Sequence, residues 1–300
     1  MEMNRRDFLK SSAAVLGAAA VSEGISSAFT EKGSIAEAAG PAPQYEIYAL
    51  KYAGPFTSKV AMLLWNRGYD ENIDRNYYIW VIKGKEETIV VDSGVGVTLA
   101  AERKLKGYVN PVKVLERIGV NGNNVTKVII THIHWDHVGG MEMFPEAFPK
   151  ATFYVQKKEF DFWLGNPASK KPPFEEVADN FAFKILADLE GTSRLAFVCG
   201  DQKILPGIEL LLTPGHTIAL QSVAVNTAKG TAILASDCAH LARSFKEYIP
   251  SCLIVDLVGW MGSYDKLRAK ATSIDLLFPG HDVMMRQNFP VVAEDVTRLV

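Results

Sequence analysis

The sequence predicts an α/β fold in which β-sheets are covered by helices. Three observations carry this. Apolar, β-branched runs of strand length recur between residues 45 and 280. Several of these runs are apolar on both faces, as strands buried on each side are. Between them lie stretches with helical spacing and helix start and stop residues, such as Pro111 to Gly119.

In chain order, "YEIYALKY" (45–52) alternates and reads as a strand. "NYYIWVIKG" (76–84) and "ETIVVDSG" (87–94) read as two strands around a turn at Gly84-Lys85-Glu86. Pro111 to Ile118 reads as a helix, since Pro lacks an N–H that the first turn does not need. "VTKVII" (125–130) and "ATFYVQ" (151–156) read as strands. In 159–190, Pro172-Pro173 divides two helical pieces carrying Phe160, Phe162, Trp163, Phe174, Phe181 and Phe183. Those aromatics either pack the segment onto the body or, with the segment 55–70, line a groove. "LAFVCG", "IELLLTPG", "QSVAVNT" and "TAILASD" (195–237) read as four strands, and "SIDLLFPG" (273–280) as another. "VVAEDVTRLV" (291–300) reads as a closing amphipathic helix.

The chain starts differently. Arg5-Arg6 precede Asp7-Phe8-Leu9-Lys10 and an Ala-rich, mildly apolar run. This resembles a twin-arginine export signal. Ser residues interrupt the run and Glu23 closes it, so it is a poor membrane span. Residues 1–38 are expected to be the signal and 39–300 a single domain, with Ala36-Glu37-Ala38 as a candidate cleavage site. The expected destination is the periplasm or another exported location, with no stable membrane insertion after the signal is removed.

Charge excludes other classes. The net charge is -2. No basic surplus favours nucleic acid, and no acidic block favours a disordered tail. Cys199, Cys238 and Cys252 form neither a CxxC nor an even framework. Cys238 reads as a small buried residue.

"THIHWDHVGG" (131–140) holds three of the chain's six histidines. His132 and His134, two apart, point the same way in an extended segment, so one ion can reach both. Asp136 and His137 then turn toward a neighbouring position. Three neutral imidazoles and a carboxylate are costly to gather without a cation, and this donor set suits zinc or iron. Gly139-Gly140 leaves room for close backbone approach. His216 in "LLTPGHT", Asp237 after "AILAS" and His281 in "LLFPGHD" each follow an apolar strand.

With "VVDSG", these motifs resemble those of the metallo-β-lactamase superfamily, over residues 45 to 290. The resemblance implies a four-layer αββα sandwich with metals at one edge of two packed sheets. It assigns His132, His134 and His216 to one divalent ion, Asp136, His137 and His281 to a second, and Asp237 as the bridge. Zinc is the expected metal; iron, manganese and cobalt suit the same donors. Asp92 is expected to support the site through hydrogen bonds. A hydroxide bridging two metals would attack a carbonyl, with Asp136 or Asp237 moving a proton to the leaving group.

Within the superfamily the chain is most similar to the N-acyl homoserine lactonase group, which implies a lactone substrate or a related ester or amide. Two positions depart from that group. His240 stands where the group has Tyr, three residues after the bridging Asp, and imidazole could donate a similar hydrogen bond to the substrate. "GHTIALQS" replaces "GHTPGHQS". A β-lactam or thioester hydrolase on the same scaffold is the alternative. A di-iron oxidoreductase fits less well, because those relatives carry Glu where His134 stands.

Overall fold

The computed structural model describes residues 42–300. The expected export signal lies outside the described residues.

Thirteen strands form two sheets among the described residues. The first sheet contains β1 (Glu46–Lys59), β2 (Asn72–Lys83), β3 (Thr88–Val91), β4 (Val125–Ile129), β5 (Thr152–Gln156) and β6 (Leu195–Val198). It is completed by β12 (Val291–Ala293) and β13 (Val296–Arg298), in the order β12-β13-β1-β2-β3-β4-β5-β6. The second contains β7 (Gln202–Leu205), β8 (Ile208–Leu212), β9 (Gln221–Thr227), β10 (Gly230–Ser236) and β11 (Leu277–Pro279), in the order β11-β10-β9-β8-β7. Helices of six or more residues are α1 (Val97–Glu102), α2 (Pro111–Glu116), α3 (Lys157–Gly165), α4 (Asn180–Ala187), α5 (Ala242–Glu247) and α6 (Leu257–Lys270).

The apolar pattern of β2 shows why the layers stack. Tyr78, Trp80 and Ile82 pack against Ile208, Leu210, Val225 and Phe278 of the other sheet. Their neighbours Ile79 and Val81 point the other way, into a core shared with Leu115 of α2, Phe160 of α3 and Leu186 of α4. A strand's side chains alternate faces, so a strand covered on both sides is apolar at successive positions. The second sheet has its own outer core, where Ala224, Ile233 and Ala235 meet Phe245 of α5 and Trp260, Tyr264 and Leu267 of α6. These three cores make four layers, αββα.

Direction matters for the site. β3 and β4 run parallel. β8 and β10 both run antiparallel to β9, and β11 is parallel to β10. The C-terminal ends of β8, β10 and β11 therefore share one edge of their sheet, as those of β3 and β4 do of theirs.

Five expectations need correction. Residues 291–300 form the β12–β13 hairpin, not a helix: Asp295 turns with φ +57°, and β13 pairs with β1. Val296 enters the helix-side core and Leu299 the inter-sheet core, so spacing that looks helical marks the two faces of a strand. Strand β7 is additional; it is short, half-exposed and carries Lys203, as edge strands do. The segment 273–280 contributes a 3-10 turn at Ile274–Leu276 and only a short strand after it. In the aromatic segment a 3-10 turn (Pro167–Lys170) and a one-turn helix started by Pro172 (Pro172–Glu175) lie between α3 and α4, giving four helical pieces, the last capped by Asp179 accepting from Ala182 N at 2.9 Å. Likewise, β1 runs past the expected end at residue 52 to Lys59, taking in the start of the segment 55–70.

Candidate metal centre

Every candidate residue follows a strand end. His132 and His134 leave β4 in extended backbone, with their rings 4.6 Å apart. A single helical turn, Trp135–Val138, then swings Asp136 and His137 inward. The tight approach behind this turn requires Gly140, where a Cβ would lie 2.0 Å from the Ser93 carbonyl oxygen. His216 follows β8, Asp237 follows β10 and His281 follows β11. Asp92 (φ +62°) and Ser236 (φ +49°) adopt left-handed backbone without being glycine, a strain that clusters at functional sites.

All six histidines of the chain meet here. With Asp136 and Asp237 they are buried, none more than 7% exposed. His216 Nε2 is 3.0 Å from His134 Nδ1 and 3.4 Å from Asp237 Oδ2. His281 Nε2 is 2.9 Å from Asp237 Oδ1 and 3.6 Å from Asp136 Oδ2. His137 Nε2 is 3.4 Å from Asp237 Oδ1 and 3.7 Å from Asp136 Oδ2. Three donor sets lie within reach of one ion each: His132, His134 and His216; His132, His137 and Asp237; Asp136, His137 and His281. The fourth set, His216, Asp237 and His240, was not foreseen as one, and His240 Nε2 lies 3.2 Å from Asp237 Oδ2.

A divalent cation fits this arrangement. His132 Nε2, His137 Nε2 and Asp237 Oδ1 are buried without a hydrogen-bond partner. Unpaired polar atoms in a dry interior are costly unless something else satisfies them. The opposite ring nitrogens are anchored: His137 Nδ1 to Asp92 Oδ2 at 2.7 Å, His216 Nδ1 to the Leu253 carbonyl at 3.2 Å, and His281 Nδ1 to the Asn76 carbonyl at 3.0 Å. Anchoring Nδ1–H leaves Nε2 as a lone pair facing the cluster, the usual arrangement of ligating histidines.

The electrostatics agree. Burial, aided by neighbouring imidazoles, holds His132, His134 and His240 well below the usual histidine range, and burial lowers His216. These imidazoles are neutral and competent as ligands. Burial also disfavours charge on His137, but Asp237, Asp136 and Asp92 outweigh it and raise its pKa. Asp237 is held well below the usual carboxylate range: burial pushes it up, but His281, His240 and His137 pull it down further.

A small pocket of about 110 Å³ opens at the cluster, lined by Arg75, Tyr77, Trp135, Asp136, His240 and neighbours. Beside His134 and His216 lies an apolar cleft of about 200 Å³ between Pro173, Phe174 and Val177 on one side and Leu253, Ile254 and Val255 on the other. A larger groove, about 640 Å³, runs past Lys158, Phe162, Cys199 and Leu212 and includes none of the cluster residues. Of the six aromatics in 159–190, Phe174 alone lines the cleft. Trp163 packs edge-on to His134 at 6.1 Å, Phe160 and Phe183 are core, and Phe181 is exposed. Tyr77 and Arg75 gave no sign in the sequence beyond a strand pattern. Cys238 is fully buried beside Trp260, whose Nε1 donates to the Cys238 carbonyl.

The family model for the metallo-β-lactamase superfamily matches residues 73–281, and that for the twin-arginine translocation pathway signal sequence matches residues 2–22. The chain belongs to the metallo-β-lactamase superfamily, and within it to the metal-dependent hydrolases. It is 27% identical over 195 residues to an N-acyl homoserine lactonase of Bacillus sp, covering 60% of this chain and 70% of that one. It is 24% identical over 272 residues to the N-acyl homoserine lactonase AttM of Rhizobium radiobacter, covering 83% and 97%. A solved N-acyl homoserine lactone hydrolase, with the product N-hexanoyl-L-homoserine bound at its catalytic metal centre, superposes with a TM-score of 0.67 at 19% identity, over 84% of this chain and 98% of that one. Among the described residues no helix is long and apolar enough to cross a membrane.

Proposed function

We propose that this protein is a dinuclear metal-dependent lactonase that is exported by the twin-arginine pathway and acts in the periplasm or another exported location. The observation that carries the hydrolytic part is the convergence of His132, His134, Asp136, His137, His216, Asp237 and His281 on one buried cluster with ligand atoms left unpaired. His132, His134 and His216 would hold one ion, Asp136, His137 and His281 the other, and Asp237 would bridge. Zinc suits this donor set best. Such an ion pair supplies water activation at neutral pH and polarisation of a carbonyl oxygen.

The chain's own residues do the rest. The pocket beside Tyr77 and His240 admits the ester group. His240 lines that pocket, and a ring N–H turned toward it would donate to the substrate carbonyl. Asp136 or Asp237 would carry a proton to the leaving alkoxide. The cleft between Phe174 and Val255 excludes water from an apolar substituent on the ring. Residues 1–38 form the signal and 39–300 the working domain. Cyclic esters with an acyl arm, as hydrolysed by the curated relatives, match a polar pocket joined to an apolar cleft.

The test is proton release by the metal-quantified mature protein on acyl homoserine lactones, unsubstituted γ-lactones, a thioester and a chromogenic cephalosporin. Lactone turnover that His134→Ala abolishes supports the reading. Thioester or cephalosporin turnover with inert lactones replaces the substrate class and leaves the metal centre standing.

A further inference from the structure

Glu159 lies in the first turn of α3, is completely buried, and has no part in the proposed ligand set. Its carboxylate spans two loops. Oε1 accepts from the Ile133 backbone N–H at 3.2 Å and from Trp163 Nε1 at 3.0 Å. Oε2 accepts from Thr217 Oγ1 at 2.8 Å and from the Ala219 N–H at 3.0 Å. Ile133 sits between His132 and His134, and Thr217 directly follows His216. Trp163, tethered by the same carboxylate, sets its ring edge against His134. Three of the four partners are N–H groups that can only donate, so both oxygens must accept. No Lys or Arg among the described residues lies within ion-pair distance of Glu159; all four of its partners are neutral donors.

We propose that Glu159 is a positioning residue for the metal centre, fixing the loop of His132 and His134 in register with the loop of His216. The inference rests on the metal reading above. It explains why a carboxylate is buried here: an amide offers one acceptor oxygen and would set its NH₂ group against an N–H of one loop. Aspartate is one methylene shorter and reaches only one of the two loops. Either change frees one loop from the other, while the rest of α3 keeps its apolar contacts.

The experiment is cobalt(II) loading of the purified full-length mature protein, followed by chelator competition and visible absorption. Glu159→Gln and Glu159→Asp are expected to weaken one of the two bound ions about 10- to 100-fold and to change its ligand-field bands. The other ion, on the side of His137 and His281, keeps its affinity. Should Glu159→Gln not fold, Thr217→Val removes one of the four bonds, and a smaller weakening of the same ion is expected. Phe160→Leu is the control, since Phe160, next to Glu159 on α3, packs on Phe183 of α4 and Phe197 of β6 in the core. If Phe160→Leu weakens cobalt as much as Glu159→Gln does, the effect is general loosening and the positioning role is overturned. Glu159→Gln with wild-type affinity and spectrum overturns it as well, with the metal reading intact. A wild-type protein that takes up no cobalt overturns both together.

Discussion

Asp92 and His137 form a fully buried pair, with Asp92 Oδ2 2.7 Å from His137 Nδ1. The same carboxylate accepts from the Thr131 N–H at 2.7 Å and from Thr131 Oγ1 at 2.9 Å. One residue at the end of β3 thus fixes both the ring of a proposed ligand and the start of the histidine loop. Asp92→Asn turns one acceptor into a donor and leaves a partner unmet. Metal affinity is expected to fall about 10- to 100-fold, measured by chelator competition; unchanged affinity would remove Asp92 from the site.

Gly280 precedes His281, and a Cβ there would lie 2.4 Å from Asp237 Oδ1 and 3.0 Å from the Ser236 backbone. Gly280→Ala must push the proposed bridging carboxylate aside. Displacements of this order cost about 100-fold in rate. The expected result is a kcat loss of that order with less than two metals per chain by elemental analysis, and a fully loaded, fully active variant would show that the carboxylate can shift freely.

Phe174 lines the apolar cleft and packs on Phe162 at 5.1 Å. Phe174→Ala is expected to raise KM about tenfold for lactones with an acyl arm and to leave unsubstituted lactones near wild type, since an apolar contact is worth about 1–3 kcal/mol. Steady-state kinetics on the two substrate sets checks it. Equal effects on both would mean that the cleft does not receive the arm.

Asp295 tests the C-terminal hairpin through pH. It lies 2.8 Å from Lys51 and 3.0 Å from Arg117, with Arg286 at 4.0 Å, while Glu294 shares Arg117. Burial pushes its carboxyl up, but Lys51 and Arg117 pull it below the ordinary value of 3.8. A carboxyl depressed in the folded state adds stability above its unfolded pKa and loses it as pH falls through the folded one. Asp295→Asn, which tolerates the left-handed backbone, should therefore melt below wild type at pH 6, and the gap should close as pH drops below about 4. Melting curves across that range decide it; a gap independent of pH would point to packing instead.

The cluster of histidines and aspartates was legible because its spacing is local. HxHxDH on an extended segment and one turn fixes four donors by sequence spacing alone, and the remaining donors each follow an apolar strand. His240 joins the cluster for a reason spacing does not carry, namely that the loop after β10 folds back over Asp237. Glu159 was hidden because two of its four partners are backbone N–H groups, which every sequence has, and because the loops it joins are far apart in the chain. The C-terminal hairpin was misread because Val296 and Leu299, three apart, fit a helix period as well as the two faces of a strand. The αββα layering reads from β2 only once both faces of its apolar run are known to be covered.

The donors all sit where strands end, while the cleft is built from segments that are neither strand nor ligand, Pro173 to Val177 and Cys252 to Val255. The cluster and the cleft can therefore change independently: the two cleft segments can lengthen, shorten or be repainted without moving the strand ends that hold the histidines and aspartates.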